Sequence, residues 1–307
     1  MRIIITGISG LLGSELYRAF SDDKNKYDLR GVSRHRPPYL APEKHIPADI
    51  ADYEDVFQKI TRLNPEVIIN TAALSNVDEC ERNPDEAYRI NALGARNMAL
   101  AARRFDSYLV HISTDYVFGG KPPQSPDGYS EYEEPSPMSQ YGRTKLWGEY
   151  MIRESGAAFS IIRTSWIFGS ARSNYITQFA DVKNIIPACE DMVSSPTYAP
   201  DLAGAIKELV ESSLSRRTEC HLRRNGIYHI TNSGYASRYE IGVFVAKTLN
   251  GTSSADEKIR KVRLADLKDM VARRPNFSAL KNILWKLDGF RTLRKWQDAV
   301  EEFILNR

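Results

Sequence analysis

The chain has 307 residues, enough for one large α/β domain with a smaller lobe, and its 42% hydrophobic and 26% charged residues place it among soluble globular proteins. A net charge of +3 argues against a nucleic-acid partner or an anionic membrane surface, and no apolar run is long enough to span a bilayer. Cys80, Cys189 and Cys220 are odd in number and far apart, which argues against a disulfide framework or a cysteine-rich zinc site and fits a reducing cytoplasm.

In chain order, strands are predicted at Arg2–Thr6, Asp28–Ser33, Val67–Asn70, Tyr108–Ser113, Phe159–Arg163 and Ile227–Ile230. Helices are predicted at Leu11–Phe20, Tyr53–Leu63, Pro84–Arg104, Ser139–Glu154, Pro200–Leu214, Arg238–Leu249 and Leu293–Leu305. The first residues enter a strand directly, without an apolar leader and cleavage site, so no secretory signal is expected. The β-α-β-α rhythm predicts an α/β fold, a Rossmann-like doubly wound parallel sheet with helices on both faces. Its ligands would lie at the carboxyl ends of the strands. After residue 165 the rhythm breaks. The expected division is a dinucleotide-binding domain from residues 1–165 and 200–235, with a smaller C-terminal substrate-binding lobe from 166–199 and 236–307. The loop Gly119–Pro137, rich in Pro, Ser and Glu, is the expected mobile flap.

The first strand runs into Thr6-Gly7-Ile8-Ser9-Gly10-Leu11-Leu12-Gly13. Glycines at 7, 10 and 13 permit a tight turn and a close backbone approach to a pyrophosphate, and the helix opening at Leu11 and Leu12 offers free N–H groups to the anion. About twenty residues on, where NAD sites place a carboxylate on the ribose, stands Val32-Ser33-Arg34-His35-Arg36. Ser33 and Arg34 suit a 2′-phosphate, so NADP(H) is the expected cofactor and NAD(H) the alternative. Asp49 and Ile50, after a short third strand, would flank the adenine, and Thr71, Ala72 and Ala73 are small where the cofactor must pass.

Of sixteen tyrosines, Tyr141 alone has Lys at i+4, and on a helix Tyr141 and Lys145 share a face. An ammonium beside a phenol is expected to lower the phenol pKa from about 10, making Tyr141 a better proton donor to a carbonyl oxygen. Thr114, at the end of a strand, would hydrogen-bond the same oxygen. Asp115 would bind a sugar hydroxyl or orient its neighbours. His111 reads as a packed strand residue. The remaining histidines have no ligand-like spacing, and no metal site is expected.

Thr6–Gly13, Asn70–Ala73, Asn91-Ala92, Ser113–Gly119, Tyr141–Lys145, Arg163-Thr164-Ser165-Trp166, Ser195-Pro196-Thr197, Asp201-Leu202-Ala203 and Arg274-Pro275-Asn276 together resemble, nearly end to end, one family of the extended short-chain dehydrogenase/reductase superfamily. This is the dTDP-4-dehydrorhamnose reductase family, the last enzymes of dTDP-L-rhamnose synthesis for cell-wall polysaccharide. The resemblance implies an NADPH-dependent oxidoreductase acting on the C4 ketone of a nucleoside-diphosphate 4-keto-6-deoxy sugar. Thr114, Tyr141 and Lys145 match the catalytic positions, and Asn91 matches a cofactor position. Asp115, Tyr116, Trp166, Asn174 and Tyr175 match substrate positions, with the indole a platform for the sugar's C–H face. Arg260, Lys261, Arg273 and Arg274 are candidates to meet the nucleotide diphosphate. Some members form homodimers through a metal at a first-helix glutamate, and Glu15 stands there.

Two other functions remain open at this stage. Nucleotide-sugar dehydratases and epimerases show Asp-Glu where this chain has Asp115-Tyr116, so the second carboxylate that dehydration uses is missing. The regulatory β-subunit of methionine adenosyltransferase shares such motifs, and would bind NADP without turnover.

Overall fold

The computed structural model describes residues 1–23, 26–180, 185–215, 225–250 and 258–306; Cys220 lies outside them. Strands β1 (Arg2–Thr6), β2 (Asp28–Ser33), β3 (His45–Pro47), β4 (Val67–Asn70), β5 (Tyr108–Thr114) and β6 (Ala158–Thr164) join Gly226–His229 in one seven-stranded sheet. Every pairing in it is parallel, in the order Gly226–His229, β6, β5, β4, β1, β2, β3. The chain therefore winds outward from β1 in one direction and from β4 in the other, and the crevice between the carboxyl ends of these two strands is the switch point where such sheets bind ligands.

Both faces of the sheet are covered, which is why its central strands are continuously apolar rather than alternating. Ile3 and Ile5 of β1 pack with α1 (Leu11–Ser21) and with Leu202, Ile206 and Leu209 of the helix Ala199–Ser215. Ile4, on the other face, packs with Val56 and Ile60 of α2 (Tyr53–Thr61) and with Met98 and Ala102 of the helix Gly94–Arg104. Each fully buried Ile contributes roughly 1.5–3 kcal/mol, so the two layers fix the sheet's position firmly. A separate core joins Phe168, Ile176, Phe179, Ile241, Val245, Trp296 and Phe303. Trp285 and Phe290 lie in the C-terminal stretch yet pack with the sheet, their rings stacked at 4.0 Å.

Two sequence expectations need correction. The helix expected over Pro84–Arg104 is interrupted by a π-helical turn at Arg89–Leu93. A Cβ on Gly148 of the facing helix would stand 2.6 Å from the Asn91 carbonyl, so the turn widens where two helices press together. The stretch Gly119–Pro137 is pinned rather than a free flap. Glu131 accepts the N–H groups of His229, Ile283 and Leu284 at 3.1–3.2 Å. Glu133 accepts those of Gln124 and Ser130, and Tyr129 stacks on Phe118 at 4.5 Å. Carboxylates that read as a solvated loop are here backbone acceptors. Replacing Glu131 with Ala should lower stability by about 1–3 kcal/mol and open residues 119–137 to proteolysis, as read by denaturant melts and limited digestion; unchanged digestion would contradict this anchoring.

Candidate active site

The glycine turn sits at the switch point. Gly7 takes a φ of +65°, and a Cβ there would stand 2.7 Å from Thr71 Oγ1 at the end of β4. A Cβ on Gly13 would lie 2.3 Å from the Gly7 carbonyl, so the turn closes only with glycine at both positions. Thr71 Oγ1 donates to the Thr6 carbonyl at 2.6 Å, and Thr6 Oγ1 to Asn70 Oδ1 at 2.6 Å, tying the two strand ends together. Gly10 caps α1 without a side-chain hydrogen bond, leaving the helix's first N–H groups to an anion.

From this turn runs a cleft of about 670 Å³. Gly7, Gly10, Leu11, Leu12, Ser33, Arg34, Asp49, Ile50, Thr71, Ala72 and Ala73 line one part of it. Thr114, Asp115, Tyr141, Lys145, Trp166 and Asn174 line another. Gly13, Asn91, Tyr116 and Tyr175 do not line it. Gly13 acts by letting the turn close. Asn91 is buried in the π-turn, where its amide bonds Leu74 twice and Thr144 once, so it shapes the Thr71–Leu74 wall from behind. Tyr116 packs edge-on to Tyr141 at 5.9 Å. Tyr175 donates its hydroxyl to the Trp166 carbonyl at 3.1 Å. Asn174 spends its polar atoms on Gly169 and Arg172 carbonyls and the Ile176 N–H.

The dinucleotide fit is good at its charged end. Ser33 Oγ donates to the His35 carbonyl at 2.8 Å and shapes the loop, whereas Arg34 is exposed on the cleft edge. Asp49 accepts from Arg89 at 3.1 Å and from the Ala51 N–H at 3.0 Å. Arg172 was not singled out in the sequence; its Nη2 reaches the Ser9 carbonyl of the glycine turn at 3.0 Å. None of Arg260, Lys261, Arg273 and Arg274 lines the cleft. Arg274 pairs with Asp78 at 2.8 Å and Lys261 with Glu190 at 3.2 Å. Glu15 is buried and pairs with Arg18 at 3.0 Å, and no metal-holding group of His, Cys, Asp and Glu occurs among the described residues.

The reactive end is built where β5 meets α6 (Gln140–Arg153). Ser139 caps α6 by accepting the Gly142 N–H at 3.2 Å. Gly142 lets this first turn lie against β5's extension, since a Cβ there would stand 2.1 Å from the Tyr116 carbonyl. Tyr141 is thereby brought into the cleft beside Thr114, whose hydroxyl opposes the rise of the phenol pKa. Thr114 Oγ1 also donates to Asp115 Oδ1 at 3.1 Å and accepts the Tyr116 N–H at 3.2 Å. Asp115 is 2% exposed, and Ser194 and Ser278 donate to its other oxygen. Its pKa is raised by burial against the opposing pull of those hydroxyls. Beneath lies a buried ion pair, Arg163 with Glu149 at 2.6 Å, to which Ser113 also donates.

Lys145 is 2% exposed, and its Nζ donates to the Ile112 carbonyl at 2.7 Å and lies 3.2 Å from His111 Nε2. His111 Nδ1 meets Asn70 Nδ2 at 3.0 Å. His111 therefore does more than pack: a hydrogen-bonded line runs from Lys145 through His111 and Asn70 to Thr6 beside the glycine turn. Sequence spacing could not reveal it, because the four residues come from three strands and a helix. The expected lowering of the Tyr141 pKa is also corrected. Burial pushes the phenol up, with only the Thr114 hydroxyl pulling down, while burial pushes Lys145 down to about 8.

A parallel sheet with a glycine cradle at its switch point and a Thr-Tyr-Lys group facing the same cleft defines a dinucleotide-binding protein of the extended short-chain dehydrogenase/reductase type. A family model for the RmlD substrate binding domain matches residues 1–307, and the chain belongs to that family. It is 32% identical to the spore coat polysaccharide biosynthesis protein SpsK of Bacillus subtilis, over all of this chain and 98% of that one. It is 31% identical to the dTDP-4-dehydrorhamnose reductase of Mycolicibacterium smegmatis, over 99% of this chain and 85% of that one. A crystal structure of dTDP-4-dehydrorhamnose reductase from Bacillus anthracis in complex with NADP superposes with a TM-score of 0.83 at 31% identity, covering 99% of both chains.

Lys145 gives a pH signature. Its folded pKa of about 8 lies below the ordinary 10.5, so the native state sheds a proton that the unfolded state keeps between those values. Stability should therefore rise with pH through that window, and the full cost of the buried charge should stand below about pH 8. Relative to wild type, Lys145→Met should be favoured at pH 7 and lose that relative gain, up to about 3 kcal/mol, by pH 10.5, as read by chemical denaturation. A pH-independent difference would contradict the burial of this charge.

Proposed function

We propose that this chain reduces the C4 ketone of a nucleoside-diphosphate 4-keto-6-deoxy sugar with NADPH, converting dTDP-4-dehydrorhamnose to dTDP-L-rhamnose in the cytoplasm. The observation that carries the proposal is that Tyr141, Thr114 and Lys145 line the same cleft as the glycine turn. The names of relatives at about 30% identity over nearly the whole chain, and the NADP in the Bacillus anthracis structure, support the substrate and the cofactor.

The N–H groups at the start of α1 hold the dinucleotide's pyrophosphate, and Arg34 its 2′-phosphate. When bound, NADPH supplies a hydride for the ketone carbon. Tyr141 and Thr114 receive the ketone oxygen between their hydroxyls, and Tyr141 gives up its proton as negative charge grows there. Burial keeps the phenol protonated, the form that a reductase needs at the start of its cycle. Lys145, anchored on the Ile112 carbonyl and His111, places a cation behind that proton and offers donors to the nicotinamide ribose. Trp166 supplies an aromatic wall for the hexose. Tyr116 stands where a dehydratase would carry its second carboxylate, so the chain has a proton donor and no acid–base pair for removing water.

Wild-type protein should consume NADPH in the presence of a dTDP-4-keto-6-deoxyhexose, seen as loss of reduced-nicotinamide absorbance, and Tyr141→Phe should lower kcat by about 10²–10⁴-fold while binding NADPH normally. No consumption by the wild type, or a wild-type rate in the variant, would overturn the proposal. Arg34→Ala should raise the KM for NADPH roughly tenfold and leave that for NADH nearly unchanged; equal effects on both would remove the 2′-phosphate contact.

A further inference from the structure

Trp166 closes the sugar end of the cleft in an unusual state. It lies just past β6, after Ser165, and its φ of +39° lies in the left-handed region, which a bulky residue enters only at a cost of order 1–3 kcal/mol. Its indole Nε1 is shut off from solvent and has no hydrogen-bond partner among the described residues. Two side chains from outside the sheet hold it. Tyr175 donates its hydroxyl to the Trp166 carbonyl at 3.1 Å, its ring 5.8 Å from the indole and inclined at 63°. The guanidinium of Arg238 sits in the corner that the two rings form, 3.9 Å from the centroid of Trp166 and 3.8 Å from that of Tyr175.

Arg238 opens the helix Arg238–Asn250, and its backbone N–H donates to the Met192 carbonyl at 3.1 Å. Its Nη1 is buried without a hydrogen-bond partner, and the Asp115 carboxylate acts on it from beyond ion-pair distance. A guanidinium removed from water without a counter-ion is a net cost unless stacking on aromatic faces offsets it. A residue needed only to fill the space between two rings would be an apolar one. The cation instead touches both rings at once, and so fixes the orientation of an indole whose backbone is strained.

We propose that Arg238 is a positioning residue for the substrate: packed against both Trp166 and Tyr175, it sets the indole as the platform for the hexose ring of the nucleotide sugar. This rests on the reductase reading given above. Arg238 does not line the cleft, whereas Trp166 does, so Arg238 acts through Trp166. It lies in the lobe whose separate core holds Phe168, Ile176 and Ile241, so the platform depends on that lobe and not on the sheet.

The test is a double-mutant cycle with Arg238→Gln, Arg238→Lys, Trp166→Ala and the pair Arg238→Gln/Trp166→Ala, read by KM for the nucleotide sugar, kcat, and the dissociation constant for NADPH. Arg238→Gln should raise the sugar-nucleotide KM about tenfold, with NADPH affinity unchanged. Arg238→Lys, which keeps a charge but not the plane, should recover only part of this. In the Trp166→Ala background, Arg238→Gln should have no further effect. Additive effects, or an unchanged KM in Arg238→Gln, would overturn the proposal. An activity-free arm uses quenching of indole fluorescence by dTDP-L-rhamnose: wild type should quench, and Arg238→Gln should lose most of the signal at the same concentration. Equal quenching in both would also overturn it. A wild type that binds this nucleotide sugar but never oxidises NADPH would instead defeat the reductase reading and leave the clamp standing.

Discussion

Everything at the reactive end depends on one close contact, that of the first turn of α6 against the backbone that continues β5. Gly142 has no Cβ to hold the helix away from the Tyr116 carbonyl, and Ser139 caps the turn from outside. Only then does Tyr141 line the cleft with Thr114, and only then does Lys145, one turn further on, enter the sheet to meet the Ile112 carbonyl. A second contact of the same kind, Gly7 against the end of β4, places the phosphate cradle at the other end. The cleft is the distance between two backbone approaches that only glycine permits.

Around these contacts the protein buries charge in a graded way. Arg163 and Glu149 neutralise each other beneath β5. Asp115 is held by hydroxyls rather than by a cation, and burial raises its pKa. Lys145 has neighbours that accept hydrogen bonds but no carboxylate within ion-pair distance among the described residues, and its pKa falls. Such a site lowers the stability of the apoprotein and favours a ligand that brings its own charge. The motif Asp201-Leu202-Ala203, by contrast, is structural. Asp201 binds Arg294 at 2.8 Å and Asn232 at 2.7 Å, fastening the C-terminal segment to the helix that covers the sheet.

The sheet was legible because its inner strands are apolar on both faces and end in turn residues; β1 and β4 fall where the runs of Ile and Val place them. Tyr141 and Lys145 were legible because a spacing of four is a helix face. What escaped was whatever depends on distant chain segments meeting. The His111 link to Lys145, the π-turn that buries Asn91, and the anchoring of residues 119–137 by Glu131 each join parts that the sequence keeps apart. The direction of the Tyr141 shift escaped for a related reason: spacing names a lysine one turn away, but it is burial that sets the shift. Arg238 carries no motif at all, and only the two rings that enclose it single it out.

The central claim is that this cleft moves a hydride from a nicotinamide to C4 of a sugar nucleotide. It is tested most directly by supplying NADPH deuterated at the transferable position with a dTDP-4-keto-6-deoxyhexose in ordinary water, and locating the label in the product by NMR. The account predicts deuterium at C4 of the hexose and nowhere else in the sugar. A product carrying hydrogen at C4, or a cofactor that keeps its label while the sugar is changed, would contradict it.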